Sequence, residues 1–72
     1  MSSVETLTEA ITQEIVGFLM ADKDLELEVA MSMFYNSDLF DKLNDKETGL
    51  YLEGSAYIYE LLKDELVRSI PA

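Results

Sequence analysis

The chain has 72 residues, of which 49% are apolar, and it carries 15 acidic against five basic side chains for a net charge of −10. Seventy-two residues make at most one domain, and one of this size buries only about 60% of the surface its unfolded chain exposes. Cysteine and histidine are both absent, which excludes disulfides, thiolate or imidazole metal sites and the commonest general base. A negative field of this size repels nucleic-acid phosphates and anionic membrane surfaces, and keeps a small apolar domain soluble.

Residues Met1 to Glu5 are acidic where a signal peptide has a basic start, and no lipidation motif is visible. The apolar cluster Ile15 to Ala21 is far too short to span a bilayer. A cytoplasmic location is therefore expected.

A first helix is expected from about Val4 to Met20. Ser2 or Ser3 serves as its cap, and Glu5 is placed for a capping box on Ser2. Val4, Leu7, Ile11, Ile15, Phe18 and Leu19 follow at three- and four-residue spacings and mark its buried face, widened by Val16 and Met20. Asp22-Lys23-Asp24 reads as a loop. A second helix, about Glu26 to Tyr35, places Leu27, Ala30, Met31 and Phe34 on one face. Val29 and Met33 fall towards its other side. Asn36 suits a left-handed C-terminal position and Ser37 a new N-cap.

A short third helix, Asp38 to Leu43, buries Leu39, Phe40 and Leu43, and Asn44 to Gly49 forms a turn. Leu50-Tyr51-Leu52 reads as a brief extended segment or a tight turn packed on the helices. Ser55 is expected to cap a last helix, about Ala56 to Arg68, with a core face of Ile58, Leu61, Leu62 and Leu66 and with Pro71 beyond its end. The architecture expected is a single all-α domain over residues 1–72, a compact bundle of three main helices with one short helix.

The alternation Asp22-x-Asp24-x-Glu26-x-Glu28 invites a calcium loop, which needs glycine at its sixth position and a bidentate glutamate at its twelfth. Those positions hold Leu27 and Met33. The acids there, and those at Asp38, Asp41, Asp45 and Glu47, read as solvated surface. Ser37 and Ser55 read as caps, since no histidine exists to activate them. The outline of a helix-turn-helix around Asn36-Ser37 fails on charge, because its second helix carries Asp38 and Asp41 against Lys42 alone. Catalytic residues, a cofactor, a metal and a nucleic-acid or membrane partner are accordingly not expected.

The residues singled out for interaction are Tyr35, Tyr51, Tyr57 and Tyr59, because tyrosine buries area while keeping a polar handle. Tyr57 and Tyr59 diverge by about 200° around a helix, so the two cannot share one core. The function expected is non-enzymatic binding of a protein partner through these tyrosines and an acidic face. Self-association as a structural homodimer stands as the alternative.

Three segments carry a resemblance. They are the apolar helix Ile11 to Met20, the run MSMFYNSDLFDKL from Met31 to Leu43, and the closing segment ETGLYLEGSAYIYELLKDEL. Together they resemble a family of small bacterial proteins of unknown function from gut anaerobes. That family's pattern has an apolar residue, a polar or aromatic pair and then Gly-x-x-Tyr-Ile, here Leu50, Tyr51-Leu52, Gly54, Tyr57 and Ile58. Tyr51 departs from it, standing where many relatives carry histidine, so no role of that histidine transfers. Glu26 departs too, at a cap position where serine is expected. The family is similar to one found in gene clusters with ADP-ribosyltransferase-like toxins. The resemblance implies an accessory or antitoxin-like binding role and brings no catalytic residues.

Overall fold

The structure is a computed structural model and describes residues 3–69. The chain is all-α. Helices α1 (Ser3–Lys23), α2 (Leu27–Tyr35), α3 (Asp38–Asn44) and α4 (Ser55–Ser69) are joined by short connections, the last of which contains two single 3-10 turns, Lys46–Thr48 and Leu50–Leu52. Among the described residues there is no strand, and no helix is long and apolar enough to cross a membrane. Ser3 is already helical; the cap expected at Ser2 lies outside the described residues, as does Pro71.

Helix α1 is the hub and touches α2, α4 and the Leu50–Leu52 turn. Its buried strip is Thr8, Ile11, Ile15, Val16 and Leu19. Leu7 and Phe18, expected in that strip, stay exposed at 43% and 36%. Leu7 and Phe18 lie about 20° apart around the helix, on one edge of the apolar stripe, and the neighbouring helices leave that edge uncovered.

The helix also outruns its expected end. Asp22 and Lys23 are helical, and only Asp24 turns, with φ 52°. The Leu25 amide donates to the Met20 carbonyl at 3.2 Å, the six-to-one bond of a Schellman cap with Asp24 at its left-handed position. Leu25 and Met20 pack together against the core.

Helix α2 buries Ala30 and Phe34 completely, with Met31 and Met33 half-buried on either flank. Leu27, expected on the core face, is 53% exposed. It lies in the first turn, where α2 is still emerging from the Leu25 turn. Glu26 occupies the N-cap without a side-chain bond. Asn36 is not left-handed; it sits at φ −92°, ψ 2°, and its side-chain amide donates to the Ser32 carbonyl. Ser37 is the expected cap, its hydroxyl accepting from the Phe40 amide at 3.2 Å and donating to the Phe34 carbonyl.

Helix α3 has seven residues, too few to persist alone. Leu39 and Leu43 anchor it in the core. The chain then reverses through Gly49, whose φ of 65° is open to glycine at no steric cost. Leu50 and Tyr51 pack partly against the core and Leu52 stays out. The segment expected as extended or tightly turned is thus a 3-10 turn.

The first bond of α4 runs from the Ile58 amide to the Gly54 carbonyl at 3.1 Å. Gly54 therefore holds the N-cap position and Ser55 is the first helical residue, a correction to the expected serine cap. The Ser55 hydroxyl instead donates to Glu14 on α1 at 2.7 Å. Ile58 and Leu62 are wholly buried and Leu61 and Leu66 half-buried, on the face their spacing assigns.

Candidate functional site

The four tyrosines do not form one edge. Tyr59 is a core residue, 8% exposed, whereas Tyr57 is 53% exposed on the far side of α4. That is the divergence their two-residue spacing requires. Tyr51 is half-buried in the 3-10 turn after Gly49. Tyr35 is 45% exposed at the end of α2, its ring 5.0 Å from that of Phe40 and 6.4 Å from that of Phe34. Tyr59 and Tyr35 each line one of two grooves that flank α1.

The groove between α1 and α4 has a volume of about 520 Å3 and is lined by Phe18, Ala21 and Asp22 of α1 and Ala56, Tyr59, Glu60 and Lys63 of α4. The Phe18 and Tyr59 rings lie 5.3 Å apart, tilted by 50°. The Tyr59 hydroxyl donates to the Asp22 carboxylate at 2.8 Å. That contact exists because α1 continues through Asp22, so the acid assigned to a loop instead faces α4. Burial pushes the Tyr59 phenol up to about 12, and the hydrogen bond and charge of Asp22 add to the rise. Lys63 lies with its ammonium 5.3 Å from the Tyr59 ring centroid and 2.8 Å from Glu60. The bond to Glu60 holds the ammonium pKa above its usual value.

The groove between α1 and α2 is smaller, about 230 Å3, and more apolar. Val16, Met20, Leu27, Met31 and Tyr35 wall it, and Gly17, exposed and without a side chain, completes its α1 side. A neighbouring depression of about 240 Å3 shares Thr12, Gln13 and Tyr35 with it and reaches Thr8, Phe40 and Asn44. The Thr8 hydroxyl is buried without a hydrogen-bond partner.

Sequence reasoning passed over Gly17, Thr8 and Lys63. Gly17 carried a readable signal, a glycine in mid-helix, while the other two depend on which elements cover α1. Among the described residues no group of three carboxylates gathers to hold a metal ion. The 22–28 alternation is split between the end of α1, the turn and the start of α2. The hydroxyls of Ser37 and Ser55 are committed to a helix cap and to Glu14. What the arrangement offers is two open grooves with aromatic and aliphatic walls on a strongly acidic body. Comparison with protein-family models, curated proteins and solved structures finds no match to the chain.

Proposed function

We propose that the chain is a non-enzymatic protein-binding module of the bacterial cytoplasm, with an accessory or antitoxin-like role, and that the α1–α2 groove is its main contact face. The observation that carries this reading is Gly17. A glycine inside a helix costs about 0.5–1 kcal/mol relative to alanine. Nothing in the fold needs it there, since a Cβ at position 17 meets no atom within 4 Å. A bare, exposed backbone along one side of an apolar groove suits the close approach of a second chain. Met20 and Met31 line the walls, and methionine adapts its shape to what is packed on it. Charge argues for the kind of partner. Two copies at −10 each repel, whereas a basic protein is drawn in.

The test is the pair Gly17→Ala and Tyr35→Ser, each assayed for co-purification of a partner from the native organism, for mass by light scattering and for thermal stability. Gly17→Ala is expected to raise stability by about 0.5–1 kcal/mol while weakening capture. Tyr35→Ser is expected to weaken capture with the helices retained. A partner held equally well by both variants refutes the assignment of the groove. A stable dimer of the wild-type chain that Gly17→Ala dissociates replaces the foreign partner with a second copy.

A further inference from the structure

We propose that the α1–α4 groove is a seat for an arginine side chain of a basic partner, and that Lys63 is the internal cation that occupies this seat in the free protein. The inference rests on the protein-binding reading above but concerns the other groove and a specific side-chain chemistry. The seat has two parts. Phe18 and Tyr59 form a tilted aromatic wall, their centroids 5.3 Å apart, with Phe18 36% exposed. Asp22 and Glu60 supply carboxylates that line the same groove. Aromatic faces with adjoining carboxylates attract cations, and a planar guanidinium both stacks on a ring and pairs with a carboxylate.

The fold itself reports which chemistry the seat accepts. Lys63 already lies over the Tyr59 ring at 5.3 Å and is held by Glu60 at 2.8 Å. That pair is exposed, with 40% and 63% of the two side chains accessible, and one turn apart on a single helix. Exposed pairs of this kind are weak, so an incoming cation displaces Lys63 at little cost. The ring beneath is fixed, because the Tyr59 hydroxyl is tied to Asp22 at 2.8 Å and only 8% of the residue is exposed. The rest of the seat is therefore ready, and the exchange moves one lysine. The net charge of −10 steers basic segments towards the body as a whole, while the rings define the point of insertion.

The test is an NMR titration of the isotope-labelled chain with Nα-acetyl-arginine amide at constant ionic strength, with Nα-acetyl-norleucine amide as the uncharged control. Saturable shifts are expected at Phe18, Ala21, Ala56 and Lys63 with the arginine probe and not with norleucine. Lys63→Met vacates the ring while keeping an apolar stem, and is expected to tighten binding about two- to fivefold. Phe18→Leu removes the ring without emptying the site, and is expected to weaken binding by a similar factor, with the melting temperature recorded alongside. Shifts of equal size at the remote Asp45–Glu47 turn, equal shifts with norleucine, or an affinity that Lys63→Met leaves unchanged would each overturn the proposal. The probe is a single capped residue, so its failure leaves the protein-binding reading to be judged on Gly17→Ala and Tyr35→Ser.

Discussion

Replacing Glu65 by alanine is expected to destabilise the fold by about 2–3 kcal/mol. Glu65 lies on α4, yet its carboxylate accepts hydrogen bonds from the first two amides of α3, from Asp38 at 2.8 Å and Leu39 at 2.9 Å. Ser37 takes the third amide, that of Phe40. The N-terminus of α3 is thus capped jointly by its own serine and by a helix 26 and 27 residues away. The Asp38 bond is exposed, so water can replace much of it. The Leu39 bond is partly buried, and its loss leaves an amide poorly satisfied, at about 1–2 kcal/mol. The charge also opposes the positive end of the helix dipole, which adds about 0.3–1 kcal/mol. Thermal unfolding followed by circular dichroism reads the sum as a fall of about 10–20 °C for a domain of this size. Glu65→Gln keeps one acceptor oxygen without the charge and is expected to lose about half as much. An alanine variant within about 0.5 kcal/mol of wild type would refute the argument. So would a glutamine variant worse than alanine.

Leu62, wholly buried in mid-α4, is expected to lose about 2–5 kcal/mol on truncation to alanine, enough to unfold most of so small a domain, as urea denaturation would record. Thr8→Val replaces a buried, unpartnered hydroxyl by a methyl group of similar size, and is expected to raise stability by about 1 kcal/mol; a lower melting temperature would mean that the hydroxyl has found a partner. Tyr59 makes stability depend on alkaline pH. Its phenol pKa is raised in the folded state from 10.0 to about 12, so the native state holds its proton more tightly than the unfolded chain. That contribution is complete below about pH 10 and is lost as the pH rises towards 12, by about 1–3 kcal/mol. Tyr59→Phe should lose that part of the alkaline decline, and an unchanged profile would refute the assignment.

The legible parts of the fold were those set by neighbours in sequence. The three- and four-residue spacing of Ile58, Leu61, Leu62 and Leu66 identifies the inner face of α4, and Ser37 and Gly49 act where their local chemistry places them. Errors arose where a distant element decided the outcome. Asp22 looked like the start of a loop because aspartate favours turns, but a Schellman bond and the Tyr59 hydroxyl keep it helical. Ser55 looked like a cap because serine commonly is one, but the helix begins one residue earlier and its hydroxyl serves Glu14. The number of tyrosines says nothing of where each one sits. Tyr59 is a groove wall in the core, Tyr35 rims the opposite groove and Tyr57 stands apart from both.

The placement of the acids gives the negative charge a second meaning. Glu65 on α4 binds the α3 amides, Asp22 on α1 accepts from Tyr59 of α4, and Glu14 on α1 accepts from Ser55 of α4. Carboxylates that look in sequence like solubilising surface therefore fasten α4 to the two helices beside it. The seam between α1 and α2 is built differently. Its centre is apolar, from Ala30, Phe34 and Ile15, and its open edge carries Met20 and Met31. Directional hydrogen bonds hold one groove to a fixed shape, whereas thioethers leave the other pliant. A fixed groove suits a side chain that must meet rings and carboxylates in a defined geometry, and a pliant one suits an apolar surface of variable shape. The division follows from the side-chain hydrogen bonds that Asp22 and Glu14 of α1 make to α4 and from the apolar contacts that line its seam with α2.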